Sequence, residues 1–299
     1  MIVLQQLING LSLGSIYALI ALGYTMVYGI VRLINFAHGD ILMVGAYTAF
    51  FVLGGAGPFP LGMVIALPVS ALVCAFFGIV IERLAYRPLR SAPRLNSLIT
   101  AIAVSLILEN GARILPFIGP NPRKFPQPPV ININLGGARG DLVISSIQII
   151  VIVLSAVLML ALHALVNHTR QGKAMRAVSY DMQGASLMGI SVNRTISFTF
   201  ALGSVLAAAG GVLYASAYPQ VSPLMGMMPG LKAFVAAVLG GIGSIPGAML
   251  GGFILGIAET MTKGFLSSQY SDAISFGILI VVLLLKPSGI LGRKVRVKV

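Results

Sequence analysis

The sequence predicts an all-α, polytopic helical membrane protein of about seven to nine spans, some of them broken or re-entrant, with a helical loop on the cytoplasmic side. Composition is the first ground. Of 299 residues, 57% are hydrophobic and 9% charged, with a mean hydropathy of +0.97, whereas soluble domains carry about a quarter of their residues as charges. The second ground is a series of apolar runs, at 4–28, 41–53, 61–84, 98–118, 144–166, 196–217, 231–239, 248–258 and 274–285. The third is small residues at the spacing of closely packed membrane helices: Gly10 and Gly14, the stretch 207–211, Gly247 with Gly251, and Gly252 with Gly256. Spans of about twenty residues with short loops use the whole length, so residues 1–299 read as one transmembrane domain with no room for a second, soluble one.

Run 4–28 has no positively charged segment before it and is too long, and too spotted with Gly and Ser, for a cleaved signal, so it reads as the first span. Several later runs are too short to cross about 30 Å unaided. Short or interrupted runs are tolerated where the broken backbone packs in protein or lines a wet cavity, and two places fit this, 32–40 and 240–247. Run 61–84 contains Cys74, the single cysteine, which excludes an internal disulfide and a Cys-based metal cluster and reads as a small core residue.

The net charge of +13 is explained by topology rather than by nucleic acid. Arg83, Arg87, Arg90 and Arg94 fall in one loop, and Arg170, Lys173, Arg176 and Arg194 in another. Lys286, Arg293, Lys294, Arg296 and Lys298 form the tail. The positive-inside bias places all three in the cytoplasm. Parity then puts the N-terminus and the Pro- and Asn-rich loop at 119–143 outside. The sequons at Asn167 and Asn193 lie in the cytoplasmic loop and are discounted. Residues 231–258 form either two crossings or a re-entrant hairpin; both leave the tail on the same side.

Asn35, His38 and Asp40 place an amide, an imidazole and a carboxylate at the junction of two apolar runs, beside Arg32. Ionisable groups inside a membrane are costly and default to function. Three readings stand open: a polar translocation pathway, a structural cap in which Asp40 closes the start of the next helix, or a proton relay. Glu109 with Arg113, and Glu259 with Lys263, have the spacing and order of helical ion pairs, structural or in the pathway. His163 and His168 read as headgroup-level residues. No cluster of His, Asp or Glu has metal-ligand spacing. Phosphate-cradle, zinc-protease and nucleophile-elbow motifs are also missing, so the chain reads as a transport subunit rather than an enzyme. Its energy then comes from an ion gradient or from another subunit.

The cytoplasmic loop, about 167–194, contains a basic, semi-polar island. Met175, Val178, Met182 and Ala185 recur on one helical face, while Lys173, Arg176, Tyr180 and Gln183 lie on another. Such a helix either lies flat at the lipid headgroups or is offered to a partner.

Four segments carry a resemblance: GSIYALIALGYTMVYGIVRLINFAHGD at 14–40, GKAMRAVSYDMQGASLMGI at 172–190, AAVLGGIGSIPGAMLGG at 236–252 and KPSGILG at 286–292. Together they resemble the permease subunits of bacterial branched-chain amino acid ABC importers, of the LivH type, over nearly the whole chain and in the family's order. The resemblance implies a multi-pass protein of the cell inner membrane. It implies a second homologous permease subunit, two cytoplasmic ATPase subunits that bind the ATP, and a periplasmic binding protein that delivers leucine, isoleucine or valine. Loop 172–190 matches the coupling helix that docks on the ATPase. The expectation is that Met175, Val178 and Met182 fill the ATPase groove while Arg176 and Asp181 fix orientation, with Gly184 interrupting the helix and Gly189 ending it. The pathway assignment of Asn35, His38 and Asp40 comes from the residues and not from the family. Urea or another small polar solute in the same importer type, and a self-contained secondary transporter, are the alternatives.

Overall fold

Lipid offers no partner to backbone N–H and C=O groups, so apolar runs in a bilayer satisfy them internally as helices. The computed structural model describes residues 2–292 apart from 32, 34, 56–60, 91, 128–129 and 136–141. Arg32, the tail residues Arg293, Lys294, Arg296 and Lys298, and part of the loop 119–143 lie outside the described residues. The helices are α1 (Ile2–Val31), α2 (His38–Gly55), α3 (Leu61–Ile81), α4 (Arg94–Ile114), α5 (Ser146–His168), α6 (Arg170–Tyr180), α7 (Met182–Leu187), α8 (Val192–Ala217), α9 (Met227–Gly240), α10 (Ile245–Phe265) and α11 (Ser271–Leu285). Seven helical segments are long and apolar enough to cross a membrane, and α2 and α9 are shorter apolar helices, which falls within the expected range of spans. The only strands among the described residues form two short antiparallel pairs, β1 (Arg123–Lys124) with β4 (Gln220–Val221) and β2 (Asn132–Asn134) with β3 (Val143–Ser145).

A helix that is apolar all round belongs in the middle of a bundle. α1 is that helix: every residue of 12–27 is buried. α10 crosses it antiparallel, with Gly252 against Ala18, Gly256 against Gly14, and Ile257 and Thr260 against Gly10. A methyl group at Gly252 would lie 2.5 Å from the Ala18 backbone nitrogen, so only glycine permits the crossing. α2, α8 and α9 complete the core, while α3, α4, α5 and α11 turn apolar side chains such as Leu72, Ile107, Leu160 and Leu285 outward. In water these faces would drive aggregation; they suit lipid or another subunit.

The two ends of the bundle differ. At one end Arg90 bonds Asn193, the last carbonyls of α9 accept from the segment after α11, and α6 packs beneath α1. This end gathers the basic loops that the positive-inside bias expects on the cytoplasmic side. At the other end Gln5 and Asn9 of α1 meet Val143 and Gln148, and the strand pairs lie there.

The two expected breaks differ in kind. After α1 the chain turns back into the bundle, and α2 starts with His38 beside Gly23 of α1, about 12 Å short of that helix's end. Residues 240–247 form instead a tight turn at the end that gathers the basic loops. Gly241 and Gly243 have φ of 104° and 92° there, and Ser244 caps α10 through its bond from Gly247 N at 3.2 Å. Residues 231–258 thus belong to two helices joined by that turn, the short apolar α9 and the span-length α10.

Candidate translocation site and coupling surface

Turning the chain inward after α1 buries three polar side chains together at the base of α2. Asn35, His38 and Asp40 are 3%, 1% and 2% exposed. Each has a partner from a different helix. Asn35 Oδ1 accepts the Tyr86 hydroxyl at 2.9 Å, the His38 ring lies on Tyr24 with centroids 4.5 Å apart, and Asp40 Oδ2 accepts the Ser105 hydroxyl at 2.5 Å. Because α2 starts at His38, Asp40 sits inside its first turn, and its carboxylate reaches across to α4. Asp40 lines a cavity of about 280 Å³ with Tyr24, Ser105, Glu109 and Met227. Glu109 is therefore turned toward Asp40, and Arg113 toward Asn110 at 3.5 Å. The expected Glu109–Arg113 pair is not among the ion pairs of the described residues, because the helix presents its acid to the cavity and its base to the outer end.

Tyr86 leads to a second polar group that the sequence did not announce. Residues Glu82–Tyr86 form a π-helical turn that extends α3, and a 3-10 turn, Arg87–Leu89, follows. Glu82 is fully buried; it pairs with Arg90 and accepts the Ser197 hydroxyl at 2.5 Å. Arg90 also donates to Asn193 Oδ1 at 2.7 Å. Asn193 and Ser197 lie in the first turns of α8, directly after the basic loop. Hydrogen bonds thus run from the start of α8 through Arg90 to the turn that carries Tyr86, and from Tyr86 to Asn35.

The basic loop folds as two short helices. Thr169 caps α6 and Asp181 caps α7 through Gln183 N at 2.9 Å. The interruption therefore falls at Asp181, whose extended backbone ends α6, and not at Gly184, which lies within α7. Gly189, with φ of 81°, closes α7: its N–H bonds Ser186 O and the Ile190 N–H bonds Ala185 O, the paired bonds of a Schellman ending. The expected docking face is corrected by burial. Met175 and Val178 are 2% and 1% exposed and belong to the chain's own core, and Arg176 bonds the Val166 carbonyl. Apolar side chains turned away from the bundle are Tyr180, Leu187 and Met188, at 91%, 88% and 83% exposed, with Met182 at the margin at 36%.

A third polar group lies toward the outer end. Lys232 of α9 is 7% exposed at its side chain and sits between Glu259 at 2.9 Å and Asp272 at 2.7 Å. Glu259 also pairs with Lys263 at 2.6 Å, as its spacing predicted, and accepts the Tyr17 hydroxyl at 2.9 Å. Tyr218, just beyond α8, has its phenol held above the ordinary range by burial and then by Glu259, with Lys232 opposing.

The chain matches the family described as branched-chain amino acid transport system, permease component, over residues 6–283. It is 45% identical over 303 residues to the high-affinity branched-chain amino acid transport system permease protein BraD of Pseudomonas aeruginosa, covering 97% of this chain and 96% of that one. The chain belongs to this permease family. It is likewise 45% identical over 298 residues to LivH of Escherichia coli K12, at the same coverage of both chains. At 26% identity it is similar to an autoinducer 2 import system permease protein, LsrC, of an Enterobacter strain, over 92% of this chain and 78% of that one. No solved structure matches the chain.

Proposed function

We propose that this permease is the membrane-spanning subunit of an ATP-driven importer that carries leucine, isoleucine and valine across a bacterial inner membrane. In this reading it works with a second homologous permease subunit, two cytoplasmic ATPase subunits that bind the ATP, and a periplasmic amino-acid-binding protein. The observation that supports it best is the two-sided character of α6 and α7. Their inner face is locked into the bundle through Met175 and Val178, while Tyr180, Leu187 and Met188 stand bare at the cytoplasmic end. A unit fixed on one side and apolar on the other is built to pass a partner's movement inward.

The mechanism follows from the bonds. A tilt of α6 and α7 moves the start of α8, where Asn193 and Ser197 hold Arg90 and Glu82. The π-helical turn rearranges more easily than an α-helix, and such turns recur at functional sites. Tyr86 would carry its movement to Asn35, and so to the base of α2, where Asn35, His38 and Asp40 form the gate of the polar path.

Proteoliposomes test the reading. With its partner subunits, binding protein and ATP, the chain accumulates labelled leucine; alone it accumulates none, and accumulation driven by a proton or sodium gradient would sink the importer reading. In the assembled importer, Asp40→Asn and His38→Ala lower uptake while the amount of complex stays constant. Loss of assembly in step with uptake assigns these residues to structure, and normal transport removes them from the path. Because a relative at 26% identity is named for autoinducer 2 import, the same assay includes competition by urea and other small polar solutes.

A further inference from the structure

Burying a lysine and a glutamate where apolar residues would pack is expensive, and such groups in a membrane protein are kept for a ligand or a path. Lys232, Glu259 and Lys263 line a cavity of about 120 Å³ whose other polar walls are Tyr17, Tyr214 and Tyr218. Leu13, Met228 and Pro229 supply an apolar side. Through Tyr218 and Lys263 this cavity adjoins an outer one of about 450 Å³, whose walls include the amides of Gln6, Asn9, Gln127 and Gln148. The pair has the size and mixed lining of a small-molecule site.

The charge balance of the wall selects the ligand. Lys232 shares its charge with Asp272, which lies outside the lining, so two ammonium groups face the cavity against one carboxylate. Both Glu259 oxygens are already engaged, one by the lysines and one by Tyr17. Among the described residues Lys263 pairs with Glu259 alone, which leaves it N–H donors for a further acceptor. The Tyr214 and Tyr218 rings, 4.9 Å apart, offer faces to a cation.

We infer that these adjoining cavities are an outer binding site of the permease for a zwitterionic aliphatic α-amino acid, an inference that rests on the importer reading above. The ligand carboxylate sits at Lys263 and Lys232, its ammonium at the tyrosine pair beside Glu259, and its side chain against Leu13 and Met228. The site would receive the solute before it reaches the base of α2.

The chain has no tryptophan and nine tyrosines, so its intrinsic emission is that of tyrosine, and Tyr17, Tyr214 and Tyr218 of this wall contribute to it. The full chain in maltoside micelles is titrated with leucine, isovalerate, isopentylamine and O-phosphoethanolamine. Leucine gives a saturable change, isovalerate a weaker one and isopentylamine none, and Lys263→Gln weakens leucine by about tenfold or more, as loss of a charge-assisted contact does. Tyr218→Leu removes one of the two ring faces and keeps every ion pair, so it remains informative if Lys263→Gln misfolds; it weakens leucine several-fold. Unchanged emission with leucine, equal affinity in both variants, or a preference for phosphoethanolamine, which marks a lipid-headgroup site, overturns the inference. Uptake by whole cells carrying the complete transporter separates the two readings. Wild-type import of leucine with undiminished import by both variants refutes the site alone, while no wild-type import of leucine refutes the importer reading and the site with it.

Discussion

Among the described residues, three acids, Asp40, Glu82 and Glu259, are at most 2% exposed. Each is embedded differently: Asp40 by a serine and a neighbouring acid, Glu82 by an arginine and a serine, Glu259 by two lysines and a tyrosine. Removing one member of a buried ion pair costs more than the pair contributes, because the other charge stays behind without its partner. Glu259→Gln leaves Lys232 with Asp272 only, and the expected loss is about 3–5 kcal/mol for a fully buried pair, less the share that solvent recovers at half-exposed Lys263. The thermal midpoint of the purified chain in detergent checks this, and an unchanged midpoint contradicts it. The acids were visible in the sequence, but their partners were only partly so. Glu259–Lys263 was legible because it is local. Lys232 was not, since a single lysine in an apolar run gives no sign of partners on two later helices, and Glu109 misled because helical spacing said nothing of Asp40 across the bundle.

At the scale of elements, apolar period and small-residue spacing made nearly every helix readable, and Gly189 announced its own turn. What could not be read was the inside and outside of α6, because a stripe that packs on the chain's own core has the same period as one that packs on a partner. Burial separates the two, and mutation does so again. Met175→Ala opens a core cavity and is expected to cost about 2–5 kcal/mol, lowering the yield of folded permease. Leu187→Glu places a charge on a face open to solvent and leaves folding intact, yet it strips ATPase from the complex on detergent extraction and abolishes uptake. Co-purification and yield, measured on both variants, decide the matter: full ATPase recovery with Leu187→Glu would place this face at the lipid headgroups. Gly189→Ala meets no neighbouring atom within 4 Å, so its effect is backbone strain alone, about 1 kcal/mol. That is seen as a small loss of coupling-segment protection in hydrogen exchange with the rest of the bundle unchanged.

Across the whole molecule, the bundle is organised around one antiparallel crossing rather than around a large-side-chain core. No hydrophobic force drives helices together in lipid, so close backbone approach and the contacts it permits must hold α1 to α10. Gly10, Gly14 and Ala18 face Gly252, Gly256 and Thr260 along that crossing, and two of the three polar groups described above hang from it: Tyr17 and Glu259 bridge it on the outer side, and His38 packs on α1 further in. The same spacing elsewhere need not mean the same thing. Gly277 of α11 has no atom within 4 Å of where a side chain would start, and α11 lies at the edge of the bundle. Gly256→Val must push α10 off the Gly14 backbone, and since the neighbour is main chain that cannot swing aside, the penalty exceeds the roughly 1–3 kcal/mol of ordinary overpacking. Gly256→Val is therefore expected to lose the monodisperse peak on gel filtration in detergent and all uptake, whereas Gly277→Val elutes as the wild type does. Equal behaviour of the two variants would mean that the α1–α10 crossing is not what holds the permease together.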